Sequence, residues 1–565
     1  MTNNEIAHHF ELLGKLSDIH GENSFKSKSY SIAAFNIEKM TVQLSEMPKQ
    51  KLSSLQGIGD AIGKKIIELE ETGTLKTLEA LLEKTPPGIL EMLKIKGIGP
   101  KKISLIWKEM GIENIGELLY ACHENRLMLY KGFGIKTQNN VIASIEFYQK
   151  QQGNYLYAQV ELLSHELQKL LGKLFNSAQV SIAGASRRQV ETLDQLEYIV
   201  PVSSTQIKTS LETLEEFQYL ATDNNSILYR YDNGIKLKLY ASTPALLLKD
   251  TFQKTGSSEF TEAFNREFPD ADFSVNNEEL LFQTLNLQYI PPALRESATI
   301  IKKAKASSIP RLIEPSDIRG VIHSHSDWSD GSNTLPELAE GCISKGLEYL
   351  VISDHSKAAF YAKGLTEERV SAQHEFVDEL NKKYQSKSNG QPFKIFKSIE
   401  SDILNDGSLD YSDSVLARFD LVIASVHSNL KMSEEKAMKR LLAAIENPYT
   451  IILGHMTGRL LLSRSGFPLN YKTIIDACAT NHVVIELNAH PRRLDMRWQW
   501  LEYALGKNVL ISINPDAHSI KEFDNTRYGV YAAQKGMLTM EQNLSSFSLP
   551  QFEKFLRDIK KIKGI

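Results

Sequence analysis

The sequence predicts a multidomain α/β chain with a helical N-terminal region, and three observations carry that expectation. At 565 residues the chain is too long for one core and calls for roughly three to five domains. Apolar helical segments near the N-terminus are joined by recurring Gly-x-Gly turns. In the C-terminal half, continuous apolar runs alternate with helical segments, the pattern of parallel strands covered by helices.

Composition narrows the class further. Charge is nearly balanced, with 65 basic against 69 acidic residues, and 42% of the chain is hydrophobic, as in an ordinary soluble protein. Cys122, Cys342 and Cys478 lie far apart, which argues against a disulfide framework and for a reducing compartment. The N-terminus lacks a charged-then-apolar signal pattern, and no apolar run reaches about 18 residues. A cytoplasmic location with no membrane partner is expected.

In chain order, Ile6–Asp18 and Lys28–Met47 carry apolar residues at i, i+3, i+4 spacing and are expected to be amphipathic helices. The repeats follow. Leu52-Ser-Ser-Leu-Gln-Gly57-Ile58-Gly59 runs into Lys64-Lys65; Leu93-Lys-Ile-Lys-Gly97-Ile98-Gly99 runs into Lys101-Lys102; a looser copy holds Gly132-Phe133-Gly134. The glycines permit positive φ and close backbone approach, so amides at the start of the next helix can receive a phosphate. One Gly-x-Gly is more often a tight turn or a helix cap; recurrence with paired lysines is what points to nucleic acid. These segments resemble the helix-hairpin-helix DNA-binding motif. Residues 1–150 carry nearly equal numbers of acidic and basic side chains. Binding would therefore rest on local amides and a few lysines, be independent of base sequence, and weaken with salt.

The C-terminal runs end in one kind of residue. Gly320-Val-Ile-His323-Ser-His325 places two imidazoles at i and i+2, on one side of an extended backbone, with Asp330-Gly331 at a following turn. Leu350-Val-Ile-Ser-Asp354-His355, Ile395-Phe-Lys-Ser-Ile-Glu400-Ser-Asp402 and Leu421-Val-Ile-Ala-Ser-Val-His427 repeat the form. So do Ile451-Ile-Leu-Gly-His455, Val483-Val-Ile-Glu486-Leu-Asn488 and Val509-Leu-Ile-Ser-Ile-Asn-Pro-Asp516-Ala-His518. An isolated His-x-His is more often a pair of hydrogen-bonded polar side chains. Packing explains the apolar runs, but it gives no reason to end each one in His, Asp or Glu. In α/β sheets, functional groups gather at the carboxyl ends of strands.

Residues from about Ile313 to Ile565 resemble the PHP (polymerase and histidinol phosphatase) domain, a distorted (β/α) barrel with a trinuclear metal centre. The resemblance implies nine ligands: His323, His325, Asp330, His355, Glu400, His427, His455, Asp516 and His518. It assigns His323, His325, Glu400 and Asp516 to one ion, Glu400, His427 and His455 to a second, and Asp330, His355 and His518 to a third. Mixed imidazole and carboxylate ligands suit manganese, zinc or iron better than magnesium or calcium. Three such divalent ions would lower the pKa of a water and stabilise a leaving oxygen, so phosphoester hydrolysis is the expected chemistry. Arg459, Arg464, Arg492 and Arg493, with Asn488, follow ligand-bearing strands and are the candidates for phosphate contact.

The middle of the chain carries a different signature. Val180-Ser-Ile-Ala-Gly184-Ala185-Ser186-Arg187-Arg188 followed by Gln195-Leu-Glu197 resembles the palm of family X DNA polymerases, and Lys254-Thr255-Gly256-Ser257 fits that family's thumb. With Arg311–Gly320 as the link, the resemblance spans the chain as a bacterial family X polymerase fused to a PHP domain. The polymerase ligands are degenerate, however. The Asp-x-Asp pair falls on Gln195 and Glu197, the third aspartate on Lys238, and the phosphate-binding serine on Ala185, while Arg188 remains. Nucleotidyl transfer needs carboxylates to hold two magnesium ions, and an ammonium among dications is repulsive.

The expected domains are therefore a helical one at 1–82, a fingers-like one at 83–150, a nucleotidyltransferase-like palm at 151–245, a thumb at 246–312 and the PHP barrel at 313–565. The expected function is a metal-dependent 3′–5′ exonuclease of DNA repair, with possible cleavage at abasic sites, acting on gapped, nicked or 3′-ended DNA. DNA synthesis is expected to be lost. The alternatives are a working gap-filling polymerase that uses Glu197 with Asp194, and a phosphatase for a small monoester. Oligomeric state is not legible in the sequence.

Overall fold

Apolar residues at helical spacing build the N-terminal unit. Ile6, Phe10, Leu13 and Leu16 are buried along one side of the helix Asn3–His20, which Thr2 and Glu5 close with a capping box. The computed structural model describes residues 1–565 except 41, 56, 177–178, 224–225, 233 and 388–392, with the backbone alone at 54, 149–152 and 385–387. The second helix runs Ser24–Glu38, shorter than the span to Met47 expected from periodicity. Asn3 accounts for the early end. Its amide donates to the Val42 carbonyl at 2.9 Å, its oxygen accepts from Leu44 N at 2.9 Å, and Leu44 enters the core from a short 3-10 turn. Met1–His123 with Leu127–Tyr148 form one all-helical unit around a single apolar core.

The second unit comprises Gln149–Ile565 with Glu124–Arg126. It begins with β1 (Tyr155–Leu156), β2 (Ser181–Ala183), β3 (Thr192–Leu193), β4 (Gln195–Val200), β5 (Phe217–Asp223), β6 (Ser226–Tyr231) and β7 (Lys236–Ala241). Five of these form a mixed sheet in the order β2-β4-β7-β6-β5, in which only β4 and β7 are parallel. Alternation along the strands sends Leu196, Tyr198, Leu237, Leu239 and Ile227 to one face, where they pack with Val160, Leu167 and Leu171 of the helix Tyr157–Leu174. Helices Leu247–Thr255, Ser258–Glu267 and Glu278–Thr284 then bury a cluster of phenylalanines, Phe252, Phe260, Phe264 and Phe282.

The C-terminal part is an α/β barrel. Its strands are β8 (Gly320–Val321), β9 (Tyr349–Ile352), β10 (Lys394–Asp402), β11 (Leu421–Ser425), β12 (Thr450–Leu453), β13 (Val484–Asn488) and β14 (Ile511–Asn514). All pair in parallel in sequence order, as continuous apolar runs separated by helices require. The two ends of this seven-stranded sheet meet just past β8 and β14. His325 N donates to the Ala517 carbonyl at 2.8 Å and Ala517 N to the His323 carbonyl at 3.2 Å, so the barrel is nearly closed. Every strand therefore delivers its C-terminal end to one rim.

Candidate metal centre

The rim collects the histidines and carboxylates that end the apolar runs. All nine expected ligands converge there, each buried or nearly so. Glu400, at the end of β10, lies at the middle. Its Oε1 stands 2.9 Å from His455 Nε2, 3.1 Å from His427 Nε2 and 3.2 Å from His323 Nε2. Its Oε2 is 3.1 Å from His355 Nδ1 and 3.7 Å from His325 Nε2. Asp516 Oδ1 faces His325 at 3.1 Å and His323 at 3.4 Å. Asp330 faces His355 at 3.4 Å and His518 at 3.6 Å.

The longer of these separations, 3.4–3.7 Å, fit donors arranged around cations. Two ligands about 2.1 Å from one tetrahedral ion lie about 3.4 Å apart, as do His323 and Asp516 and His355 and Asp330, whereas the pairs at 2.9–3.1 Å are at hydrogen-bond distance. Buried atoms of the cluster also lack hydrogen-bond partners, among them His323 Nε2, His325 Nδ1, Asp330 Oδ2, His355 Nδ1, Glu400 Oε2 and His518 Nε2. Burial of so many orphaned polar atoms is costly unless something else satisfies them. The donor set fits divalent metal. The ligand atoms fall into three groups: His323, His325 and Asp516; His355, Glu400 and His427; and His325, Asp330, His355 and His518. Here His325 and His355 each belong to two groups, whereas the sequence comparison shares only Glu400.

Local charge follows the same geometry. Burial alone would raise Asp330 and Glu400, but their histidine neighbours outweigh it and hold both carboxyls well below the usual range. Burial and the neighbouring His518 and His355 lower His325, which favours a neutral ring with a free lone pair.

Backbone and supporting side chains fix this arrangement. His323 and Asp516 both adopt left-handed φ, 64° and 51°, an uncommon conformation for residues with a Cβ and one that tightly determined functional sites sustain. A Cβ on Gly331 would run into the His325 carbonyl, so only glycine closes this turn. Asp354 is fully buried and accepts from Ser326 N, Ser326 Oγ, Ser329 Oγ and Gln373 Nε2 at 2.5–2.8 Å, which pins the His325–Asp330 loop. Glu486 accepts from His323 Nδ1 at 2.6 Å and from His455 N at 3.0 Å; Asp402 sits 3.1 Å from His427 Nδ1. Carboxylates in these positions set the tautomer and orientation of metal-binding imidazoles. The sequence placed Glu486, Asp402 and Asp354 at strand ends but gave no sign of which histidine or loop each would serve. Glu486→Gln is expected to weaken metal binding about 10- to 100-fold while the barrel stays folded, which chelator competition measures.

The candidates for phosphate contact divide. Arg493, 5% exposed, brings Nε to 3.7 Å from Asp516 Oδ2, beside the cluster. Asn488 donates to Asp516 Oδ2 and to Glu486 Oε1, each at 3.0 Å, and so aligns acidic groups. Arg459 turns away. It is 4% exposed, pairs through two nitrogens with Glu191 at 2.7 and 3.3 Å, and donates to the Arg493 and Leu494 carbonyls. Arg464 Nε donates to the Gly458 carbonyl at 2.8 Å, and the Arg492 side chain is buried.

The five-stranded sheet sets Glu197 beside Lys238 and Gln195 beside Lys236 in parallel register. Tyr240 donates to Glu197 Oε2 at 2.7 Å, and the Glu197 carboxylate fills the space over Gly184. Ala185 offers no hydroxyl there. Arg188 pairs with Glu296 at 3.2 Å and donates to the Thr255 carbonyl at 2.7 Å.

The N-terminal unit repeats one turn three times. Gly57, Gly97 and Gly132 take positive φ of 78°, 97° and 93°. The residues after them, Ile58, Ile98 and Phe133, are buried in the common core. Gly59 and Gly99 are the extended N-caps of helices Asp60–Thr72 and Pro100–Lys108, without side-chain caps, and a Cβ at Gly59, Gly99 or Gly134 would meet open space. The first amides of these helices are thus left available to an anion. Lys64 and Lys101 are exposed; Lys65 donates to Thr77 Oγ1 at 2.7 Å and Lys102 lies 5.2 Å from the Phe133 ring.

Comparison with known proteins follows this division. Residues 1–75 match a helix-hairpin-helix domain, 89–146 a SAM-like helix-hairpin-helix tandem and 322–490 the PHP domain. The chain is 32% identical to the DNA polymerase/3′-5′ exonuclease PolX of Bacillus subtilis (strain 168), over 99% of this chain and 100% of that protein. A probable phosphatase of Caldanaerobacter subterraneus subsp. tengcongensis is 28% identical over 29% of this chain and 60% of its own length. One from Thermoanaerobacter sp. (strain X514) is 27% identical over 29% and 62%. Among the described residues no helix is long and apolar enough to cross a membrane.

Proposed function

Because the chain belongs to the PolX family, bacterial family X polymerases that carry a PHP domain, we propose that it is a metal-dependent phosphodiesterase of DNA repair. It shortens DNA from 3′ ends at gaps and nicks and has lost DNA synthesis. The observation that carries this reading is the rim of nine buried histidines and carboxylates, several with orphaned atoms, in a chain that also bears three hairpin turns with open glycine amides. Three divalent ions, manganese or zinc with iron as a third choice, would supply an activated water and Lewis acidity toward a phosphodiester.

The chain's own residues do the rest. Glu400 faces imidazoles of all three ligand groups through its two oxygens, Glu486 and Asp402 orient His323 and His427, and Arg493 is poised to steady a phosphoryl oxygen. The hairpin turns hold the DNA backbone without reading bases. Loss of synthesis rests on Gln195 and Lys238, which cannot hold magnesium beside Glu197, and on Tyr240, which already engages that carboxylate. The same rim serves cleavage at abasic sites, and the reducing, cytoplasmic setting suits three buried free cysteines.

The likeness of part of the chain to probable phosphatases favours one rival, hydrolysis of a small monoester. A 5′-labelled strand in nicked duplex, incubated with manganese, separates the readings. Stepwise shortening that retains the label is the expected result. Immediate release of label in a mononucleotide would mean the opposite polarity. Intact DNA alongside hydrolysis of small monoesters would favour the phosphatase.

A further inference from the structure

A short segment far from the barrel in sequence stands at its rim. Glu124–Arg126 follow the helix Ile115–His123 and lie in the stretch that matches a helix-hairpin-helix tandem, outside the residues that match the PHP domain, yet they belong to the second unit. Asn125 fastens them. With a left-handed φ of 55°, it donates through Nδ2 to the Asp330 carbonyl at 3.2 Å and to Ser332 Oγ at 3.0 Å, and so grips the loop that carries Asp330. Arg126 stacks on Tyr361, its Cζ 4.2 Å from the ring centroid. Tyr361 belongs to the short turn Phe360–Ala362 that follows His355. Burial pushes the Tyr361 hydroxyl well above its usual range; Arg126 opposes this, and Asp402, Glu124 and Glu400 add to it, so the ring stands within reach of the rim's carboxylates.

One carboxylate joins two guanidinium groups here. Arg126 Nη1 donates to Glu124 Oε2 at 3.3 Å, and Glu124 Oε1 lies 3.8 Å from Arg493 Nη2. The other carboxylates near the two arginines, Asp330 and Asp516, are expected metal ligands. Among the described residues Glu124 is the only hydrogen-bond acceptor of the Arg126 side chain, whose Nε is buried without a partner and which stays 21% exposed. A guanidinium carries five N–H donors in a planar fork that matches phosphate oxygens, and the Tyr361 ring fixes that plane. We propose that Arg126 binds a phosphate oxygen of the substrate at the metal centre, together with Arg493. Glu124 holds the two forks side by side, and Asn125 sets their distance from the ligand loop. The inference rests on the reading that the rim hydrolyses phosphodiesters, and it adds a substrate contact that the barrel's own strands and loops do not contain. Two forks on one phosphoryl group fix its orientation for in-line attack.

The test compares wild type, Arg126→Ala and Arg126→Lys as full chains loaded with manganese. Three quantities are read: kcat/KM on bis(p-nitrophenyl) phosphate, bound manganese by elemental analysis, and the affinity for inorganic phosphate by titration calorimetry, which needs no turnover. Arg126→Ala is expected to lower kcat/KM roughly 10- to 100-fold, the range of one lost charge-assisted hydrogen bond, and to weaken phosphate binding by a similar factor. Its manganese content should match wild type. Arg126→Lys, which keeps the charge but not the fork, should recover part of both losses. Where the alanine variant sheds its manganese, the lysine variant decides, since full metal with lowered kcat/KM and phosphate affinity carries the same meaning. Wild-type kcat/KM and phosphate affinity in Arg126→Ala, or manganese lost from both variants, would overturn the proposal and reduce Arg126 to a prop for the ligand loop. A wild-type chain inert toward every phosphodiester would overturn the nuclease reading instead, while the phosphate titration would still decide the role of Arg126.

Discussion

Glu400→Gln is expected to cut phosphodiester hydrolysis at least about a hundredfold and to lower the metal content of the purified protein. The reason is geometric. Both oxygens of Glu400 face imidazole nitrogens, three within 3.2 Å of Oε1 and two within 3.7 Å of Oε2. An amide of the same shape keeps one neutral oxygen and turns N–H donors toward the remaining ligands, so a cation there loses a charge partner and meets a positive edge. Elemental analysis after gel filtration reads the metal, and a soluble phosphodiester reads the activity. Retention of full metal content with full activity would remove Glu400 from the centre of the site.

The second large effect concerns stability. Glu278→Gln is expected to destabilise the phenylalanine-rich region after the five-stranded sheet by about 3–5 kcal/mol. Arg295 is wholly buried, and its guanidinium lies 4.9 Å from the Phe252 ring centroid and 5.6 Å from that of Phe282. Its charge is answered by Glu278 at 2.6 Å, and Glu278 also receives Arg187 through two nitrogens at 2.7 and 3.1 Å. Burial raises the Glu278 carboxyl, but Arg295 and Arg187 outweigh it and bring it down to about 2. A carboxyl depressed from 4.5 to about 2 contributes about 3 kcal/mol, fully present above pH 4.5 and lost as pH falls through 2. The gap between wild type and Glu278→Gln should therefore hold from neutral pH to about 4.5 and close toward pH 2. Hydrogen exchange of helices Leu247–Thr255 and Glu278–Thr284 measures it locally, which matters in a multidomain chain without a single unfolding transition. A gap that widens in acid would contradict the assignment.

The barrel and its rim were largely legible because parallel strands leave two marks in a sequence. Apolar runs show where each strand lies, and the residue just past the run shows what it presents. His355 after β9, Glu400 at the end of β10, His427 after β11 and His455 after β12 follow that logic. Pairings between distant segments left no such mark. Arg459 and Glu191 are 268 residues apart, and no periodicity tells which carboxylate an arginine on a barrel loop will meet. Glu486 reads as one more strand end, although in space it braces His323 from 163 residues away. The early end of the second helix was hidden for a related reason, since Asn3, at the start of the first helix, holds the chain near Val42 and Leu44 by side-chain hydrogen bonds about forty residues away in sequence.

The five-stranded sheet is the opposite case. That Gln195 and Lys238 stand where the resemblance expects two of the carboxylates could be read from the sequence alone. The engagement of Glu197 by Tyr240 needed coordinates, because those residues meet only through the β4–β7 register.

The most direct measurement uses one 5′-labelled gapped primer-template with manganese, with and without nucleotides, for wild type and His325→Ala. The expected result is shortening by wild type, its loss in His325→Ala, and no extension of the primer in either protein when nucleotides are supplied. Extension that persists in His325→Ala would contradict the account and return polymerase chemistry to Glu197 and Asp194.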